Sequence, residues 1–225
     1  MELDYKLIDV SHTVEHGMIT YKGLPAPVIT DHLTREASKQ IYADGTEFQI
    51  GNIEMVANTG TYLDSPFHRY ADGPDLAGLD LSSLANLNGI VIRRTQPSGR
   101  PISLEALTGF ELHAKAVLFH TGWDVHWRTE TYSNGSHPYL TADAAEYLAH
   151  SGAALVGIDS YNIDDTNALD RPAHSILLRH GIPIVEHLCG LSVLPARGFK
   201  FFAVPVKVKG MGTFPVRAFA LVSAS

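Results

Sequence analysis

Apolar positions in this chain come in short runs, and most Gly and Pro fall between them, as turns require. Leu7 to Val10, Gly89 to Arg93, Lys115 to His120, Leu155 to Asp159 and Ile182 to His187 read as strands, Gly89 to Arg93 and Lys115 to His120 carrying β-branched apolar residues that mark them as buried. Phe48 to Val56 reads as a further strand, with Phe48, Ile50 and Met55 on alternating faces. Ser103 to Thr108 reads as a short helix. Thr141 is placed to cap a helix running to His150, with Asp143 near the positive end of its dipole and Gly152 beyond its end. Ala173 to His180 is a helix stopped by Gly181. Phe199 to Lys209 and Phe214 to Val222 flank Gly210-Met211-Gly212-Thr213, the signal of a closing hairpin.

Helix and strand therefore alternate through the second half. The expectation is an α/β domain with a mixed central sheet, spanning residues 1–225 without a linker or internal repeat. Pro25 to Pro27 and Ser133 to Pro138 are surface loops, the second placed to line a pocket.

Charge narrows the partners. With 24 acidic and 17 basic side chains the formal net charge is −7, which disfavours nucleic acid and anionic membrane. The expected partner is a small molecule. Met1 to Tyr5 lacks the basic-then-apolar pattern of a signal peptide, and the most apolar stretch, Phe199 to Val208, is interrupted by Lys200, Pro205 and Lys207. A cytoplasmic protein is the expectation. The single cysteine, Cys189, excludes an internal disulfide and a Cys-rich zinc site, and reads as a small buried residue. Twelve His point toward metal or proton chemistry without saying which of them matter. No G-x-S-x-G elbow, phosphate loop, G-x-G-x-x-G or H-E-x-x-H is present.

The most informative segment is Asn58-Thr59-Gly60-Thr61-Tyr62-Leu63-Asp64-Ser65-Pro66-Phe67-His68. Asn58, Tyr62, Asp64 and His68 are separated by even steps, so an extended chain would present all four on one face. Spacing alone is equally compatible with a polar turn in which Asp64 caps and His68 faces water.

This segment resembles the signature of the cyclase superfamily that includes kynurenine formamidase, H-x-G-T-H-x-D-x-P-x-H. Gly60, Thr61, Asp64, Pro66 and His68 match it, while Asn58 and Tyr62 stand where that pattern has metal-binding histidines. Ser11-His12-Thr13, Tyr21-Lys22-Gly23, Gly122-Trp123, Gly157-Ile158-Asp159, Gly181 to Glu186 and Pro205 to Gly210 also look like family segments, in family order. The resemblance implies a swivelling β/β/α fold, a homodimer or homotetramer, and a divalent-metal hydrolase of small amides, esters or lactams, formamide cleavage in tryptophan catabolism being its best-known reaction. Carried over residue by residue, it makes Asp64, His174 and Glu186 metal ligands and His68 the general acid/base.

The two departures change the chemistry of that site. An Asn carbonyl is a hard donor and a Tyr phenol ligates only when deprotonated, so exchanging imidazoles for Asn58 and Tyr62 shifts preference from Zn toward Mn or Mg and lowers affinity. Without a metal, Asp64 and Glu186 would be like charges needing a cation such as protonated His68 or His174. A metal-free cyclase or lyase, with Tyr62 donating to a substrate carbonyl, and a non-catalytic binding protein both stay open. Asn58, Phe67, Trp123 and His137 are candidate substrate contacts, with Tyr161 a further aromatic candidate. Asp159, Asp164 and Asp165 are commoner as caps and turn residues than as ligands. His16, His32, His113, His126 and His150 read as surface residues, His12 and His120 as core imidazoles, and His187 as pointing away from Glu186 along its strand.

Overall fold

The computed structural model describes residues 5–95 and 99–223; Met1 to Asp4, part of the N-terminal segment read above, lie outside the described residues. In chain order the strands are β1 (Tyr5–Asp9), β2 (Val28–Leu33), β3 (Ile50–Glu54), β4 (Tyr62–Asp64), β5 (Leu87–Arg93), β6 (Pro101–Ile102), β7 (Lys115–His120), β8 (Tyr139–Leu140), β9 (Leu155–Ile158), β10 (Ile184–Glu186), β11 (Arg197–Phe202), β12 (Thr213–Pro215) and β13 (Phe219–Ser223). The helices are α1 (Arg35–Ser38), α2 (Ala142–His150) and α3 (Pro172–Arg179). Among the described residues, nine strands form one mixed sheet in the order β1-β13-β11-β5-β7-β9-β10-β4-β12. Its centre, β5-β7-β9-β10, is parallel, and the strands outside it pair antiparallel. This is the mixed α/β sheet expected.

Side-chain alternation divides the core into two layers. Ile90, Ile92, Val117, Phe119, Val156, Ile158 and Ile184 face α2 and α3 and pack with Leu148, Leu177 and Leu178. Val91, Ala116, Leu118, Leu155, Val185 and Leu63 face the other way, onto Phe199, Phe201 and Leu191. Strands buried on both faces read as near-continuous apolar runs, which is why β5, β7 and β9 stand out in the sequence.

Four expectations need correction. The closing hairpin is not a tight one. β11 and β13 do pair, Phe199 opposite Val222, but the chain between them crosses to the far edge of the sheet, where β12 pairs with β4. Gly212 is there for close approach, not for a turn: a Cβ would press into the His68 backbone. The Phe48 to Val56 strand does not join the main sheet. Its core, β3, pairs with β2 as a separate ribbon, and Phe48, Ile50 and Ile53 are all exposed. Thr141 sits at the α2 N-cap position, but its hydroxyl donates to the Ile102 carbonyl at 3.1 Å rather than accepting from the helix. The expected helix at Ser103 to Thr108 is a single 3₁₀ turn, Leu104–Leu107. Among the described residues no helix is long and apolar enough to cross a membrane.

Gly89 shows how closely the second layer is packed, since a Cβ there would overlap the Phe199 ring. Gly89→Ala is expected to destabilise the protein by about 1–3 kcal/mol, the usual cost of overpacking. Urea unfolding should show a lower midpoint with an unchanged slope.

Candidate functional site

β4 is a short strand between two partners, and its registers assemble the site. Tyr62 lies opposite Glu186 of β10 and Pro215 of β12; Asp64 lies opposite Ile184 and Thr213. Leu63 and Val185 point into the second apolar layer, so Tyr62, Asp64 and Glu186 share the opposite face. There α3 delivers His174. Of the run from Asn58 only Tyr62–Asp64 is extended strand; the chain bends at Asn58 and again at Gly60, whose φ is 66°, so Asn58 does not reach the site by strand alternation. Pro66 begins a 3₁₀ turn, Pro66–His68, and it is this turn rather than strand alternation that returns His68 to the site.

His174 is the centre of the arrangement. Its Nδ1 lies 2.6 Å from Asp164 Oδ2, and its Nε2 lies 3.7 Å from both Asp64 Oδ2 and Glu186 Oε1. Burial alone would depress its pKa. The charge of Glu186, the hydrogen bond to Asp164 and then Asp64 outweigh burial and hold it at about 10, so the ring is an imidazolium in the absence of metal. Asp164 does two jobs: it caps α3, accepting from Ala173 N–H at 2.7 Å and His174 N–H at 3.0 Å, and it fixes the His174 ring. Glu186 accepts from the Tyr62 hydroxyl at 2.5 Å and from Ile163 N–H at 2.6 Å; burial, offset in part by His174, still lifts its pKa to about 7. Burial, followed by the charge of Glu186, pushes the Tyr62 phenol well above its ordinary value. Without metal, Tyr62 is therefore a neutral donor to Glu186.

His68 is joined to Asp64 through Thr213. The Thr213 hydroxyl donates to Asp64 Oδ1, and His68 Nδ1 lies 2.8 Å from the same Thr213 oxygen. A carboxylate oxygen can only accept, so Thr213 donates to Asp64 and accepts from His68 Nδ1–H. That leaves Nε2 as the basic nitrogen of His68.

The donors fit a divalent cation. Asp64 Oδ2 is buried without a hydrogen-bond partner, and Asp64, His68 and His174 each offer an atom within 4.8 Å of the others. A separation of 3.7 Å is too long for a hydrogen bond, but near the roughly 3.4 Å between two ligands on one tetrahedral ion. Of the expected ligand trio, Asp64 and His174 fall in this cluster, and Glu186 adjoins it through His174.

The site opens into a cavity of about 670 Å³ lined by Asn58, Tyr62, His68, His174 and Glu186, together with Tyr21, Asn162 and Arg171. Phe67, Trp123 and His137 do not line it. Phe67 lies half-buried beside the cavity floor. The Trp123 indole N–H donates to the Tyr132 carbonyl at 3.1 Å, and His137 is fully buried against Tyr161 with Nε2 3.0 Å from the Asp164 carbonyl. Tyr161 also leaves the wall: with Tyr21, Tyr62, Trp127 and Tyr132 it encloses His187. Strand alternation would send His187 away from Glu186. Its left-handed backbone, φ 54°, ends β10 and packs the ring against Tyr62 instead. His12 stacks on Trp127 at 3.8 Å, and burial lowers its pKa to about 4. Asp159 accepts from the Thr121 and Gly122 N–H groups, and Asp165 pairs with Arg100, the turn roles expected of them.

Residues 8–165 match the family model described as "Putative cyclase". The chain belongs to the cyclase family. It is 32% identical over 213 residues to a kynurenine formamidase of Salinibacter ruber, covering 94% of this chain and 95% of that one. A kynurenine formamidase of Geobacillus thermodenitrificans is 32% identical over 177 residues, 78% of this chain and 81% of the other. Among solved structures, isatin hydrolase A from Labrenzia aggregata, bound to benzyl benzoate, superposes with a TM-score of 0.84 at 21% identity, covering 98% of this chain and 94% of that one. This second likeness shows the cyclase fold.

Two outcomes follow from the electrostatics. Asp164→Ala strips three hydrogen bonds from α3 and leaves His174 a poorly compensated buried charge. A loss of about 3 kcal/mol or more is expected in urea unfolding. The folded-state pKa of His174 lies above its ordinary 6.5, so its stabilisation is complete below that pH and is lost as pH rises toward about 10. Chelator-treated protein should therefore lose thermal stability between pH 6.5 and 10. A rise in melting temperature over that interval contradicts the assignment.

Proposed function

We propose that this cyclase-family protein is a metal-dependent hydrolase of small aryl amides, esters or lactams, with arylformamide cleavage as its reaction type. The observation that carries the reading is the Asp64–Thr213–His68 relay standing beside His174 on one cavity wall. The names of the formamidase relatives support the substrate type.

A divalent ion bound here would polarise the scissile carbonyl and lower the pKa of a water. His68 competes for two roles, ligand and base. Its Nδ1 is engaged by Thr213 and its side chain is 36% exposed to the cavity mouth, which favours the base. Asp64, His174 and Glu186 would then be the residues that hold the ion. His68 Nε2 takes a proton from the attacking water as its oxygen bonds to the carbonyl carbon. As the C–N bond breaks, the same nitrogen returns the proton to the leaving amine, giving an acid and an amine. Thr213 and Asp64 hold the tautomer and stabilise the imidazolium that forms between these steps. The Tyr62 hydroxyl is committed to Glu186 and keeps that carboxylate in place, while Asn58 presents an amide to the substrate.

His68→Ala separates the two roles. With N-formylkynurenine and formanilide as substrates and Mn²⁺, Zn²⁺ or Mg²⁺ supplied, kcat should fall about 10²–10⁴-fold while elemental analysis finds the metal retained. Loss of the metal along with activity would make His68 a ligand. No turnover by the parent protein with any ion would overturn the hydrolase reading.

One observation favours a metal-free alternative, in which a cyclase or lyase uses the same pocket. The His174 imidazolium already balances Asp64 and Glu186, and Tyr62 satisfies the remaining Glu186 oxygen. Stoichiometric metal in protein purified without added ions excludes it.

A further inference from the structure

The cavity wall carries charge that the hydrolytic reading does not use. Arg69 follows His68 directly, and its Nε–H donates to Ser175 Oγ at 3.2 Å, so the guanidinium bridges the 3₁₀ turn and α3 beside both imidazoles. Arg171 precedes His174 by three residues. Its Nη1 is held by the carbonyls of Ala168 at 2.6 Å and Asp170 at 2.8 Å, with that of Asp165 at 3.4 Å. Both side chains line the cavity, and among the described residues neither forms an ion pair. Elsewhere the arginines Arg100, Arg128, Arg179 and Arg217 each meet an Asp or Glu. Asp170, which also lines the cavity, accepts from Arg171 through its backbone carbonyl, and among the described residues its carboxylate forms no ion pair. Burial and Glu186 push the Tyr21 phenol well above its ordinary pKa, and Arg171 acts in the opposite sense, so its charge reaches into the cavity.

A guanidinium fixed by carbonyls, with its remaining N–H groups unused, is a ready-made fork for a carboxylate. Arg171 is such a group, Arg69 is tethered instead by the Ser175 hydroxyl, and two guanidinium groups lining one cavity are a local exception on a chain of net charge −7 that concentrates anions where the bulk surface repels them. Tyr21 and Leu24 line the same cavity, an aromatic and an aliphatic wall suited to a ring.

We infer that Arg69 and Arg171 form a carboxylate subsite, and that the substrate is an aryl amide or ester bearing a carboxylate rather than a neutral one. The inference rests on the hydrolase reading for its reaction but not for its binding. The carboxylate lies across the two guanidinium groups at the mouth, and the ring runs along Tyr21 toward His68 and His174.

The test pairs turnover with binding. In the metal-loaded protein, the ratio of kcat/KM for 2-formamidobenzoate to that for formanilide should fall about tenfold or more in Arg69→Gln, chiefly through KM, and be largely restored in Arg69→Lys. Arg171→Gln should lower the same ratio, and Arg69→Gln, whose side chain is exposed, keeps the test valid if the Arg171 loop is disturbed. Calorimetry with benzoate and benzamide gives a readout independent of catalysis: the parent should prefer benzoate, and the double Gln variant should lose that preference. An unchanged turnover ratio, or equal affinity of the parent for benzoate and benzamide, overturns the subsite. If neither formamide is hydrolysed but benzoate binding depends on the arginines, the subsite stands and the hydrolase reading falls.

Discussion

Three buried carboxylates converge on one imidazole, and the rest of the site is arranged around that fact. Asp164, Asp64 and Glu186 have almost no access to water, and isolated charges in that position would be prohibitively costly. His174 makes the cluster tolerable by standing between them, 2.6 Å from Asp164 and 3.7 Å from the other two. Everything that fixes His174 therefore fixes the site: Pro172 at the start of α3, the Asp164 cap on its first turn, and β10 and β4 in the register that sets Glu186 opposite Tyr62.

The same constraint explains why the loss of two imidazoles need not empty the pocket. Tyr62 spends its hydroxyl on Glu186, where burial and the neighbouring charge favour the neutral phenol, and it satisfies a Glu186 oxygen that would otherwise be bare. Asp64 Oδ2, by contrast, has no hydrogen-bond partner among the described residues. The carboxylate that keeps an unused lone pair lies 3.7 Å from both the His68 and the His174 rings, so the site is poised for a cation or for a proton shared through His174. Further out, the unpaired Arg69 and Arg171 give the cavity a positive mouth over an acidic floor.

Much of this was legible in the chain. The short apolar runs became β5, β7 and β9, Ala173 to His180 became α3, and the Asn58 to His68 segment carried three of the side chains that line the cavity. What the sequence concealed depends on pairings distant along the chain. Thr213 looked like part of a hairpin turn; it is a strand residue that meets Asp64 across 149 positions. Asp164 was readable as a cap, but that the same carboxylate orients His174 follows only once α3 begins at Pro172. His137 was placed toward the substrate by its loop and Trp123 by its aromatic ring, yet neither lines the cavity: the Trp123 indole donates to the Tyr132 carbonyl, and His137 is buried against Tyr161 with Nε2 on the Asp164 carbonyl. The Phe48 to Val56 run has the alternation of a strand, but no neighbouring layer covers either face of the ribbon it joins.

The central claim is that His174 is a cation held by its carboxylates until a metal replaces its proton. A ¹⁵N NMR titration of the His174 ring in chelator-treated protein measures this directly. The ring should stay doubly protonated well above pH 7, toward about 10, and lose its second proton at neutral pH when one equivalent of Zn²⁺ is added. A ring that titrates near 6.5 and does not respond to Zn²⁺ would contradict the account.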